Sequence, residues 1–333
     1  MIINEYDNYS LLQWNTFGLD VKARKFVEYD CIAALKEVLR KYKGEPLLHI
    51  GRGSNLLFLN DFEGVVLHST MNHVVVMRET AKDVSVSVSG GMVFDDFVAE
   101  CVRRGWWGAE NLSYIPGEVG ASAVQNIGAY GVEAKDIISS VVTMNVKTLE
   151  LRTFTNAECQ YGYRESVFKG RLKGKYIVLS VLFHLSKLPC PKLDYGNVRA
   201  NLSENPSLSE IRDTIIRIRR QKLPEVNELG SAGSFFKNPI VSERKFKSIQ
   251  KKYGEVPHFL TDKGVKIPAA WLISQVGMKG VYHGGAQVYE KQPLVIVNAN
   301  HATSDDIAQL AAEIVEKVKT TFGIKISPEV NYI

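Results

Sequence analysis

The chain has 333 residues, 45% of them hydrophobic and 23% charged, and its 41 basic against 36 acidic side chains leave a net charge of +5. That length favours two or three domains over a single core. The mild positive balance suits an anionic small molecule and falls short of the clustered basic stripe of a nucleic-acid binder. No apolar run approaches the length of a membrane span, and residues 1–20 lack an apolar signal core. Cys31, Cys101, Cys159 and Cys190 are far apart with no CxxC pair, and the seven histidines show no metal-like spacing. No metal, nucleic-acid or membrane partner is therefore expected, and a reducing, cytoplasmic setting is.

In chain order, residues 31–43 predict an amphipathic helix with Ile32, Leu35, Val38 and Leu39 on one face. Pro46 introduces a short apolar strand at 47–50, a glycine loop follows, and 56–59 and 65–68 read as further strands of a small α/β unit. Val84, Val86 and Val88 alternate with Ser85, Ser87 and Ser89, the period-two pattern of a half-buried strand. A helix at 94–104 turns Phe94, Phe97, Val98, Cys101 and Val102 inward, and 141–146 and 176–185 are strand-like. A helix at 209–221 runs through Ile211, Ile215 and Ile218, with Arg212, Arg217, Arg219, Arg220 and Lys222 read first as its polar face and second as an anion site; Pro224 marks a boundary. Beyond it lie a helix at 269–276, a strand at 294–297 and a helix at 305–320 capped by Thr303 or Ser304. The mixture indicates an α+β class.

Two glycine-rich stretches carry the search for a ligand. Gly51-Arg52-Gly53-Ser54-Asn55 follows a strand, where glycine lets backbone N–H groups approach a phosphate. The dinucleotide fingerprint fails, because Leu56 stands where a third glycine belongs and the following residues look like a strand, so on its own this loop reads as a tight turn. The second stretch runs from Ile115-Pro116-Gly117-Glu118-Val119-Gly120-Ala121-Ser122 to Asn126-Ile127-Gly128-Ala129-Tyr130-Gly131. It is nearly free of charge and poor in side chains, as a chain lying against a flat ring and a pyrophosphate must be. A small-residue packing site between helix and sheet fits the pattern equally well, and Glu118 has no assigned part.

Taken together these stretches resemble the UDP-N-acetylenolpyruvoylglucosamine reductase family. The resemblance begins at Trp14-Asn15-Thr16-Phe17-Gly18 and continues through Tyr161-Gly162-Tyr163-Arg164-Glu165-Ser166, Ala232-Gly233-Ser234-Phe235-Phe236-Lys237-Asn238-Pro239 and Pro328-Glu329-Val330. It implies a two-subdomain, PCMH-type FAD-binding fold at 1–72 and 73–222, with residues 324–333 returning to the first part, and an α+β substrate domain at 223–323. It also implies a monomer that uses NADPH to reduce the enolpyruvyl ether of a UDP-sugar in peptidoglycan synthesis.

The resemblance assigns the chemistry as well. Gly51 to Leu56, Ile115, Pro116, Gly117, Gly120, Ala121, Ser122 and Asn126 to Gly131 would cradle FAD. Ser234 would give the proton, a role typically worth roughly 10²–10⁴-fold for a placed acid. Arg164, whose planar fork suits a carboxylate, and Glu329 would stabilise the charge that builds on the substrate. A second anion beside an enolate is unfavourable unless Glu329 is bridged, or is protonated through apolar burial and so becomes a hydrogen-bond donor. Tyr195, in a turn-rich segment similar to the family's mobile tyrosine loop, and Lys222 would hold the diphosphate, with Tyr163, Asn238 and Gln292 as further substrate contacts.

Overall fold

Parallel pairing of Lys22–Tyr29 and Leu47–Ile50 with Phe62–Ser69 between them builds the first sheet, which Ile3–Ser10 extends at one edge. The structure, a computed structural model, describes residues 1–333. It divides into two units, one formed by Met1–Tyr9, Lys22–Arg52 and Phe62–Gln221, the other by Ser10–Val21, Gly53–Asp61 and Lys222–Ile333.

In the first unit the helix Ile32–Lys41 lies on the parallel sheet. Cys31 caps it by accepting the Ala34 N–H at 3.4 Å, and Leu35, Val38 and Leu39 are buried against Val27, Val65 and Leu67. Ile32 departs from expectation. As the first helical residue at the chain's entry it is 38% exposed, and Ala34 takes its place in the buried face. A five-stranded antiparallel sheet follows, in the order Leu151–Thr155, Ile138–Asn145, Tyr176–Ser186, Asp83–Ser89, Val74–Glu79. Val84, Val86 and Val88 point into its core with the serines outward, as the alternation dictates. The helix Phe94–Arg103 packs there too, with the Phe97 ring stacked 4.5 Å from that of Phe183. This unit also contains Leu208–Lys222 as far as Gln221.

The second unit pairs Gly230–Ser234, Val295–Asn298, Ala286–Val288 and Tyr282–His283 into an antiparallel sheet beside a three-stranded one made of Ile240–Val241, Gly264–Lys266 and Phe259–Thr261. Ser304–Phe322 supplies the long helix; Thr303 and Asp306 form a reciprocal capping box, and Gly323 ends it at φ 60°. Two early segments belong here. Residues 10–21 bring Thr16 and Phe17 to the sheet, where the Thr16 carbonyl accepts from Ser231 N at 2.8 Å and the Phe17 carbonyl from Asn298 Nδ2 at 2.9 Å. Leu56–Leu57 pairs in parallel with Asn331–Tyr332, so the late segment 324–333 adds a strand to residues from the first seventy-two.

Candidate active site

The second glycine stretch is partly helical. Glu118 precedes the short helix Val119–Gln125, anchored where Val119 N donates to Met92 O at 2.9 Å and Gly120 N to Gly90 O at 2.8 Å. Ser122 is buried and its hydroxyl donates to Val119 O at 2.7 Å, whereas Ala121 faces outward. Asn126 ends the helix in the left-handed region at φ 46°. Its amide donates to Gly162 O at 2.8 Å and Glu133 Oε2 at 3.2 Å and accepts from Lys135 N at 3.0 Å. The buried Asn126 thereby ties this stretch to the segment that carries Tyr163 and Arg164.

Ile127 leads into a hairpin in which Gly128–Ala129 pairs with Val132–Glu133, turning through Tyr130 at φ 47° and Gly131 at φ 81°, two consecutive positive values that demand such residues. Three expected site residues meet on this hairpin. Arg164 Nη2 donates to Gly128 O at 2.8 Å, its guanidinium lies 5.3 Å from the Tyr163 ring centre, and a Cβ placed on Gly131 would stand 3.2 Å from that of Tyr195. Asn111 Nδ2 bridges the Tyr130 carbonyl at 2.8 Å and the Lys192 carbonyl at 2.7 Å, fixing the base of the tyrosine segment while the Tyr195 ring stays 41% exposed. Ile115 and Pro116 precede Gly117, whose φ is 114°.

Residues 51–55 straddle the two units: Gly51 and Arg52 belong to the first, Gly53, Ser54 and Asn55 to the second. Gly53 sits at φ 65°, and a Cβ there would lie 1.8 Å from the Trp14 carbonyl oxygen, so only glycine fits. Asn55 Nδ2 donates to the Glu329 carbonyl at 3.2 Å, and the Asn55 carbonyl accepts from Asn331 N at 3.0 Å; Leu56 begins the strand that follows.

Ser234 and Glu329 lie on adjoining segments of the second unit. Ser234 closes its strand at an irregularity in the pairing with Val295, preceded by Gly233 at φ 67°, and its side chain is exposed while Phe235 and Phe236 are buried. Glu329 N donates to Phe235 O at 2.7 Å, and Lys237 N to Ser327 O at 2.9 Å. Glu329 is half-buried. Asn238 Oδ1 accepts Ala269 N at 2.9 Å and so caps the helix Ala269–Gln275, Gln292 sits in the turn before Val295, and Lys222 is exposed at the end of its helix.

Two features escaped the sequence reading. Arg219 lies four residues beyond Ile215 and eight beyond Ile211, on the buried stripe rather than the polar face, and that spacing was the available signal. It is half-buried, donates from Nε to the Tyr114 carbonyl at 3.2 Å, and desolvation lowers its guanidinium below the usual range. Glu118, the one carboxylate of residues 115–131, is turned inward onto His68 at 3.0 Å. Nothing in the sequence pairs those residues. With that charge withdrawn, the outer face of the stretch offers backbone and small side chains, which fits an anionic dinucleotide.

An α/β sheet beside an antiparallel one, with glycine turns between their elements, defines this unit as a flavin-dinucleotide domain, and a family model described as FAD binding domain matches residues 23–150. Residues 224–333 match the model for UDP-N-acetylenolpyruvoylglucosamine reductase, C-terminal domain. Curated UDP-N-acetylenolpyruvoylglucosamine reductases from Bacteroides fragilis YCH46 and Flavobacterium johnsoniae are 48% and 41% identical, the first alignment covering 98% of this chain and 99% of the relative, the second 98% of each. The crystal structure of the enzyme from Thermus caldophilus superposes with a TM-score of 0.70 at 21% identity over 100% of this chain and 99% of that one, showing the same fold. The chain belongs to the UDP-N-acetylenolpyruvoylglucosamine reductase family, a family of flavin oxidoreductases.

Proposed function

We propose that this enzyme uses NADPH and FAD to reduce UDP-N-acetylglucosamine enolpyruvate to UDP-N-acetylmuramate, in the cytoplasm and for peptidoglycan synthesis. Bound FAD supplies the hydride relay between NADPH and the vinyl ether. The residues that hold it are Gly51 to Leu56 and those of the 115–131 stretch named above. Their common property is the absence of an outward-facing negative charge.

Arg164 orients the substrate carboxylate and stabilises the charge that accumulates there as hydride arrives at the terminal vinyl carbon. Ser234 Oγ gives its proton to the adjacent carbon, and Glu329 stands by as the second polar group at that centre. Tyr195 covers the diphosphate with Lys222, and Tyr163, Asn238 and Gln292 complete the substrate contacts. The parts 1–72 with 324–333, 73–222 and 223–323 are the working division of labour in this scheme. The observation that supports the reading is the backbone bond from Glu329 to Phe235, the residue that follows the exposed Ser234.

The test is anaerobic mixing of the yellow holoprotein with NADPH and then with the enolpyruvyl sugar nucleotide. Bleaching near the flavin absorbance maximum followed by recovery is expected. Bleaching without recovery on addition of the sugar nucleotide rejects the substrate.

A further inference from the structure

Beneath Gly51 in the first unit lies a chain of buried ionisable groups that the reaction scheme does not use. His68 sits in the central strand of the parallel sheet, opposite Glu28 of Lys22–Tyr29 and Ile50 of Leu47–Ile50. Its Nδ1 is 3.3 Å from Glu28 Oε1 and its Nε2 is 3.0 Å from Glu118 Oε1. The side chains of His68 and Glu118 are 9% and 3% exposed, that of Glu28 21%. An imidazole can donate from both nitrogens only when it carries two protons, and here both nitrogens face carboxylates. Burial raises the Glu118 carboxyl above its usual range, and the hydrogen bond to His68 draws it back.

The other neighbours hold Glu118 less closely. Arg52 approaches Glu118 at 3.7 Å from the solvent side, its own side chain 55% exposed. Tyr29 and His49 bond to each other at 2.8 Å as a neutral pair, and the Phe26 ring stacks on His68 at 6.4 Å. The Glu118 carboxylate also touches the first glycine turn, since a Cβ on Gly51 would stand 3.0 Å from Glu118 Oε2. One side chain therefore joins Gly51 to the start of the second glycine stretch, and His68 holds that side chain down.

We propose that His68 and Glu118 are positioning residues of the flavin cradle: His68, held between Glu28 and Glu118, keeps turned inward a carboxylate that would otherwise oppose the anionic cofactor. This rests on the assignment of residues 51–52 and 115–122 to FAD.

The experiment is titration of FAD into the deflavinated full-length chain, followed by flavin fluorescence. His68→Gln keeps a hydrogen bond but no charge. It is expected to raise the FAD dissociation constant roughly 5- to 150-fold, the usual span of a coupling between sites. Adding Glu118→Gln to it removes the misplaced carboxylate and should restore most of the affinity. A His68→Gln chain with wild-type affinity overturns the proposal, as does a double variant no better than the single one. Ala121→Glu, on the outward face of the short helix, separates the two layers of the argument. If Ala121→Glu binds FAD normally the cradle assignment itself is wrong; if it loses FAD while the His68 variant does not, only the positioning role fails.

Discussion

The amide of Glu329 donates to the carbonyl of Phe235 at 2.7 Å, so the backbone of one proposed catalytic residue is fixed against the neighbour of the other, Ser234. Because Ser234 ends its strand with an exposed side chain, removing its hydroxyl leaves the buried Phe235 and Phe236 undisturbed. Ser234→Ala should therefore keep flavin reduction by NADPH at the wild-type rate and slow turnover of the enolpyruvyl substrate by roughly 10²–10⁴-fold. Stopped-flow measurement of the two half-reactions checks this; equal loss in both would remove Ser234 from the proton-donating role.

Asn126 combines a strained backbone with three hydrogen bonds, and two substitutions separate those contributions. Asn126→Gly keeps the left-handed conformation and loses the bonds, at a cost of about 1–3 kcal/mol for the stranded buried groups. Asn126→Ala should cost about 1 kcal/mol more, because its Cβ resists φ 46°. Urea unfolding of both variants gives the difference. Turnover should fall in each, since the Gly162 carbonyl that Asn126 holds immediately precedes Tyr163 and Arg164.

Gly53→Ala tests the first glycine loop. The added methyl would need space held by the Trp14 carbonyl at 1.8 Å, and φ 65° is unfavourable for alanine as well. A fall in stability of at least about 2 kcal/mol is expected, visible as a lower thermal midpoint. A variant as stable as the wild type would show that residues 14 and 53 do not approach in this way.

His49 sets an acid limit. Desolvation pushes its pKa down to about 3, with the Tyr29 hydroxyl donating to the neutral ring. The unfolded chain takes up the proton near the ordinary histidine value of about 6.5 and the folded chain does not until pH falls to about 3. Between those limits the unfolded state binds more protons, so stability falls as pH falls, by up to about 1.4 kcal/mol per pH unit. His49→Gln, which keeps an acceptor for Tyr29, should flatten the urea midpoint against pH in this window. An unchanged slope would show that His49 is protonated while folded.

Elements whose burial pattern is periodic were legible beforehand. Asp83–Ser89 and Phe94–Arg103 announce themselves because one face is apolar and the other is not. Ile3–Ser10 and Lys22–Tyr29 were missed: the first is largely solvent-facing, and the second interleaves lysine and arginine with its buried residues. Val119–Gln125 was read as loop because glycine, alanine and serine make a poor helix signal, and only its anchoring to Gly90 and Met92 makes it one. The proposed site residues rest on ordered motifs along the whole chain. The partnership of His68 with Glu118 arises from strand register and a turn, which no local pattern encodes.

The pairing of Leu56–Leu57 with Asn331–Tyr332 has a consequence for the birth of the protein. At about 5–20 residues per second, a ribosome needs roughly 14–55 s to cover the 274 positions that separate Asn55 from Glu329. During that interval the first unit, whose chain ends at Gln221, can assemble, while the excursions 10–21 and 53–61 wait for partners not yet made. A stall or premature stop beyond Gln221 would then yield a product with its first unit formed and the internal segments 10–21 and 53–61 left without partners, a natural target for chaperones and proteases.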